Sequence, residues 1–325
     1  MNDAIQIGSK ILPIILLIAL GHVLRRVRFI PGSTIPALKK LAIQLTLPLV
    51  VFLSLVELEF QAKYLVLDIT IFLFTVAMLL VGFLIKKISG SKNLYLPNCF
   101  TSYENGMMGY GALGAVLGTT NIYPIVIMDL GQTVYFSLVF MTLIGILNRR
   151  HAGATETDGS GHGVRRILLS FITNPFVIVT ATALILKGTG AADFIRKTPP
   201  LAAVLETCRL LSGLNTPIMC LVIGYELRIE LHNLLKPLGV VVLRLALLLS
   251  GAALINHFII DRMLHLEETF QFALYTMCML PPFFLSAATI REEATEERSF
   301  VLNVISLNIL IFLILFSLMS VFRGL

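Results

Sequence analysis

Ten apolar runs, each about 20 residues long, constrain this chain most, because a helix crossing the hydrocarbon core of a bilayer needs about that many consecutive apolar residues. They fall at 5–24, 35–56, 65–85, 96–117 and 122–147, then at 167–186, 201–225, 234–260, 270–289 and 300–322. With 57% hydrophobic and only 14% charged side chains over 325 residues, too little polar surface remains to cover a water-soluble globule. The expected class is an all-α membrane protein with ten transmembrane helices. The stretch MNDAIQIGSK lacks a basic leader region, and the first run ends in Arg25, Arg26 and Arg28 without a small-residue cleavage site, so it reads as a retained span. The net charge of +6 does not point to nucleic acid, since the cations flank apolar runs instead of forming a soluble basic domain. Cys99, Cys208, Cys220 and Cys278 lie singly in apolar stretches, with no metal-type spacing, and read as small packing residues.

Counted over alternate connections, one side of the membrane collects sixteen cations: Arg25, Arg26, Arg28, Lys39, Lys40, Lys86, Lys87, Lys92, Arg149, Arg150, Arg165, Arg166, Arg228, Lys236, Arg291 and Arg298. The other side collects six: Lys63, Lys187, Arg196, Lys197, Arg262 and Arg323. The asymmetry makes the first side cytoplasmic and puts both termini outside the cytoplasm, in the plasma or inner membrane. Between the fifth and sixth runs, HAGATETDGSGHG is polar and glycine-rich and reads as a flexible linker. The chain thus divides into a first five-helix repeat over 1–148, a cytoplasmic linker over 149–166 and a second repeat over 167–325, together one membrane domain. In the second span Pro48 is followed nine residues later by Glu57-Leu58, and in the seventh Pro217 by Glu226-Leu227; 217 − 48 and 226 − 57 both give 169. Lys40 and Arg209 share that offset. Because each half has an odd number of spans, the two repeats are expected to be inverted. Pro13 and Pro175, in the first and sixth spans, support the pairing more weakly because their offset differs.

The fourth span contains TSYENGMMGYGALGAVLG, whose glycines, Glu104 and Asn105 do not suit a lipid-facing helix. The ninth, at the equivalent place in its repeat, is interrupted by Pro281-Pro282, which removes two amide donors. Non-helical backbone at membrane depth persists only where protein or a water-filled cavity satisfies it. The expectation is therefore two broken helices, 4 and 9, crossing near the midplane and forming a substrate site from Glu104, Asn105, Gly106, Gly109, Gly111, Pro281 and Pro282, with Asn308 of the tenth span. A simpler reading also stands: glycines for close helix packing and prolines as kinks.

Charges inside the spans are few, namely Asp68, Glu104, Asp129, Glu206, Arg209 and Arg244. Each costs about 2.5–3.5 kcal/mol at a helix centre on insertion scales, so each needs a reason. Glu104 reads as a proton- or cation-coupling carboxylate, or as a structural acceptor for unwound amides. Asp129, with Gln132 and Asp68, reads as an ion-coupling cluster, or as half of an Asp–Arg pair. Lys40 with Gln44 and Arg209 with Ser212 form polar stripes that either guide charge inward or snorkel to lipid headgroups. Asn215 and Thr216 read as caps for the Pro217 kink, or as donors to a ligand. No GxxxxGK loop, HExxH or GxSxG is present, the six histidines are scattered, and Ser160 and His162 sit in the linker, so neither an enzyme nor a metal site is expected.

In the stretches LKKLAIQLTLPLVVFLSL, GMMGYGALGAVLG, ITNPFVIV and LNTPIMCLVIGYEL, and in the Pro281-Pro282 span, the chain resembles the auxin efflux carrier family, whose architecture the bile-acid sodium symporters share. The resemblance implies two inverted five-span repeats, scaffold and transport subdomains, elevator-like alternating access, an organic anion such as a carboxylate as solute, and a homodimer. Aligned on Gly106 and Gly109, Glu104 stands where the family has asparagine and Gly111 where it has proline; Pro282 matches the second crossover proline, and Asp68 lies near the family's acidic residue in the third span. A fixed carboxylate at the crossing repels an organic anion unless it is protonated or paired. The resulting expectation is a secondary transporter of a small charged organic solute, coupled to H+ or Na+ and using no other cofactor. Its alternative is a non-transporting receptor or sensor with the same midplane pocket.

Overall fold

The computed structural model describes residues 2–56, 58, 61–118, 121–151, 173, 175–227, 234–290 and 294–323. Glu57, Arg165, Arg166, Ser160, His162, Arg228, Arg291 and nearly all of the expected linker lie outside the described residues. Among the described residues the chain is helical and contains no strand. The principal helices are α1 (Asn2–Arg26), α2 (Gly32–Val56), α3 (Lys63–Ser89), α4 (Tyr110–Leu117), α5 (Tyr123–Leu147), α6 (Pro175–Gly188), α7 (Ala191–Lys197), α8 (Pro199–Glu226), α9 (Leu235–Met263), α10 (Glu268–Met279), α11 (Phe284–Ala288) and α12 (Thr295–Arg323).

Six of these, α2, α3, α5, α8, α9 and α12, are long and apolar enough to cross a membrane. Their ends follow local chemistry. Proline sits in the first turn of α5 and α8, where its missing N–H is no loss. Gly90 closes α3 in the left-handed region at φ 61°, returning its N–H to the last turn. A π-turn over Ala42–Thr46 precedes Pro48 within α2 and takes up the register that the proline disturbs. The fourth and ninth apolar runs do not form continuous helices. A 3-10 turn, Leu96–Phe100, leads into extended backbone and then a π-turn, Asn105–Gly109, that continues as α4. Likewise α10 ends at Met279, Leu280 is extended at ψ 151°, and the chain restarts as the short α11.

Packing pairs the helices in a recurring way. α1 lies along α8, and α6 lies along α2; α3 lies along α5, and α9 along α12. At the α1–α8 seam Gly21 meets the Leu221 carbonyl and Gly224 meets the Ile18 carbonyl, so the two backbones touch where no Cβ could fit. Gly131 of α5 lies in the same way against the Asp68 carbonyl of α3. Large apolar side chains, among them Leu73, Leu80, Leu84, Val242, Leu254 and Ile314, remain exposed on the outer faces of α3, α9 and α12, as a lipid-facing surface requires.

Candidate functional site

The two interruptions meet. The Glu104 N–H donates to the Pro281 carbonyl at 3.0 Å, joining the first break to the second by a direct backbone hydrogen bond. The Phe284 N–H, at the start of α11, donates to the Glu104 carboxylate at 2.8 Å. A prolyl pair leaves carbonyls without helical donors and a restarted helix leaves amides without acceptors, and Glu104 supplies one of each. Ser102, two residues earlier, is fully buried at φ 56°, a left-handed conformation that costs a non-glycine residue free energy and persists only when its surroundings impose it.

Arg244, on α9 and completely buried, provides that constraint. Its Nη1 donates to the carbonyls of Cys99 (2.9 Å) and Thr101 (3.2 Å), and its Nη2 to those of Ser102 (2.8 Å) and Leu280 (3.1 Å). The guanidinium also lies over the Tyr103 ring, 5.8 Å from its centroid. Other helices hold further carbonyls of the breaks. Gln132 of α5 donates to the Tyr103 carbonyl at 2.8 Å, and Asn308 of α12 donates to the Met279 carbonyl at 2.9 Å.

Beside the first break, Asp129 of α5 collects three side-chain donors. Asn105 Nδ2 (2.7 Å) and Gln132 Nε2 (3.1 Å) reach its Oδ1, and the Tyr110 hydroxyl reaches its Oδ2 at 2.6 Å. Among the described residues Asp129 pairs with no arginine, and the Arg244 cation is spent on backbone carbonyls instead. Asp68 is half-buried on α3, where its backbone carbonyl abuts Gly131, two residues from Asp129. The acceptor oxygens of Asn105, Gln132 and Asn308 and one carboxylate oxygen of Asp68 are buried with no hydrogen-bond partner among the described residues.

The site glycines are packed. A Cβ on Gly109 would sit 2.8 Å from Leu280 and 3.0 Å from Ile125, and one on Gly106 would sit 2.9 Å from Leu47. Gly111 lies against Thr216 of α8, 3.1 Å from its methyl group by the same construction. Pro281 and Pro282 are buried at the crossing. Thus Glu104, Asn105, Gly106, Gly109, Gly111, Asp129, Gln132, Pro281, Pro282 and Asn308 belong to one neighbourhood, with Asp68 at its edge.

Lys40 and Arg209 do not join it. Lys40 is exposed on α2, and Arg209 pairs on an exposed face with Glu206 at 3.1 Å. Asn215 does not cap the Pro217 kink; its Oδ1 accepts from the Thr46 hydroxyl. The cations that approach the crossing are Arg25, Lys39 and Arg298. They line a cavity of ≈ 460 Å³ bounded by α1, α2, α8, α11 and α12, which reaches Phe284 and Ala287. Within it Lys39 pairs with Glu226 at 2.6 Å, and Arg25 Nη1 donates to the carbonyls of Tyr225 and Leu227 at the end of α8. Sequence reasoning passed over this ring because adjacent basic residues on a helix, Lys39 and Lys40, face different ways, and only the packing of α8 decides which one turns inward. Tyr110 was also missed; an aromatic in an apolar run carries no signal until a buried carboxylate is known to face it.

No protein-family model matches the chain. No curated protein matches it significantly either.

Proposed function

We propose that this chain is a secondary active carrier of a small charged organic solute, built as two inverted five-span repeats in a cell membrane with both termini outside the cytoplasm. The observation that carries the reading is the joined crossing: two interrupted helices bonded through Glu104 and Pro281, next to a cavity that Arg25, Lys39, Arg298 and the Glu104-bonded Phe284 line. Unwound backbone at membrane depth is costly unless protein or a water-filled cavity satisfies it, and crossed broken helices are how many carriers place a solute at the midplane. The six continuous spans account for part of a ten-span chain. Within this reading α1 and the short α6 add two more spans, and the broken fourth and ninth runs, which no single long helix represents, supply the last two. The doubled pairing of α1 with α8 and α6 with α2 supports the repeat, since an inverted duplication sets the first span of each half against the second span of the other.

The resemblance to the auxin efflux carrier family fits the same picture, with α1, α2, α6 and α8 as scaffold and the remaining spans as a transport unit that moves against it in a homodimer. Positive cavity walls favour an organic anion such as a carboxylate, and Glu104 with Asp129 forms the acidic pair that couples its movement to H+ or Na+. The test is a thermal-shift screen of organic acids, amines and amino acids, with and without sodium, followed by uptake of each stabilising compound into proteoliposomes. Accumulation of a hit supports a carrier. Binding of a hit that never crosses the membrane contradicts it and favours the receptor.

A further inference from the structure

We propose that Arg244 is a tethered cation occupying the place where a crossing of broken helices would otherwise take a metal ion, so that the two segments are held together without bound sodium. This deepens the carrier reading and rests on it for the meaning of coupling. At a crossing of this kind, half-helix carboxyl ends and unwound carbonyls form a set of oxygen ligands that suits a small cation. Here four such oxygens, from Cys99, Thr101, Ser102 and Leu280, converge on one guanidinium at 2.8–3.2 Å. Three belong to the first break and one to the second, so a single side chain bridges both.

The arrangement has the marks of a charge site and not of ordinary packing. Arg244 is 0% exposed, and among the described residues no carboxylate pairs with it; a buried unpaired guanidinium is retained only where oriented dipoles replace both water and a counter-ion. Carbonyl oxygens at the ends of helical segments are such dipoles, and the Tyr103 ring face adds its quadrupole. A guanidinium presents several N–H donors in a fixed plane, which one lysine ammonium could not spread over the same four acceptors. Because Arg244 resides on α9 while its ligands come from the first break and from the end of α10, it also ties the eighth, fourth and ninth apolar runs into one body. An alkali-metal ion at that position would have to displace a cation that cannot leave. The carriers of coupling charge in this site are then Glu104 and Asp129, outside the Arg244 carbonyl set.

The experiment reads cation binding on the purified full-length protein and not transport, so a receptor with the same crossing gives the same result and failure of the carrier reading remains distinguishable. Thermal unfolding of the wild type and of Arg244→Gly is measured at constant ionic strength with choline chloride as the background salt. Arg244→Gly is expected to unfold at lower temperature and to recover saturably, by several degrees, with guanidinium at about 10 mM, while urea, of the same shape but neutral, gives no recovery. An Arg244→Gly protein indifferent to guanidinium or equally responsive to urea overturns the proposal. Should Arg244→Gly not fold, Arg244→Lys is compared with Arg244→Met: retention of more stability by the charged side chain supports the tethered cation, and equal loss overturns it.

Discussion

Thr46 and Asn215 touch across 169 residues: the Thr46 hydroxyl lies 3.0 Å from Asn215 Oδ1, deep between α2 and α8. The separation equals the offset between Pro48 and Pro217, so each partner stands two residues ahead of its own proline. Residues related by a twofold axis can touch only on that axis. A contact between positions with the same offset as the proposed repeat therefore marks where the axis would pass, and it supports two halves turned about Thr46 and Asn215. The Thr46 hydroxyl is also 3.1 Å from the Ala42 carbonyl, inside the π-turn ahead of Pro48.

Glu104→Gln should leave the fold intact and abolish coupling. The amide oxygen can still accept the Phe284 N–H, so the loss is the difference between a charge-assisted and a neutral hydrogen bond, about 1 kcal/mol. Glu104→Ala should cost more, about 1–3 kcal/mol, because it strands a buried donor. Thermal unfolding and the pH and sodium dependence of proteoliposome uptake check both; a Gln variant whose uptake keeps its wild-type dependence removes Glu104 from coupling.

Asp129→Asn should destabilise more than Tyr110→Phe. The carboxylate accepts from Asn105, Gln132 and Tyr110 at once, whereas an asparagine keeps one acceptor oxygen, loses the charge and turns an NH2 donor toward at least one of those partners. The expected cost is about 2 kcal/mol against about 1 kcal/mol for loss of the single hydroxyl. Denaturation midpoints of the two variants, read side by side, decide the order.

Gly224→Ala should damage the α1–α8 seam, where a Cβ would run into the Ile18 carbonyl. Separating the two backbones is expected to cost about 1–3 kcal/mol. Gly145→Ala on α5 meets nothing within 4 Å and should be neutral or stabilising by up to about 1 kcal/mol through helix propensity. Equal melting temperatures for the two variants would show that the seam is not a close contact.

Arg298→Gln should weaken recognition of an anionic solute with little change in stability, because the side chain is half-buried at the cavity wall. A rise in KM of about tenfold, equivalent to about 1.4 kcal/mol, with kcat retained, is the expected split. An unchanged KM for the anion identified in the screen would remove the cavity from its path.

Much of this was legible because the bilayer imposes simple patterns. The apolar runs located the helices, and Pro281-Pro282, which removes two adjacent amide donors, marked where the ninth was expected to fail; Gly106 and Gly109 fitted a break or close packing equally well. The Pro48–Pro217 spacing pointed to the seam that Thr46 and Asn215 occupy. Partner choice was not legible. Whether Arg244 answers Asp129 or a set of carbonyls depends on which helix lies beside α9, and hydropathy is blind to that. Lys39 and Lys40 have the same chemistry one residue apart, so only a rotation of about 100° along α2 separates a cavity wall from an exposed face. The cavity itself arises between α1, α2, α8, α11 and α12, five elements distant in sequence, and no local motif announces it.

The most direct test of the central claim is two-sided accessibility at Ala287, which lies on α11 and lines the cavity. Ala287→Cys in a Cys208→Ser background, in oriented membrane vesicles, is treated with a membrane-impermeant thiol reagent from one face at a time. A carrier with a moving crossing predicts labelling from both faces, with protection by a solute that stabilises the protein. Labelling from the cytoplasmic face alone, under every condition, would contradict alternating access.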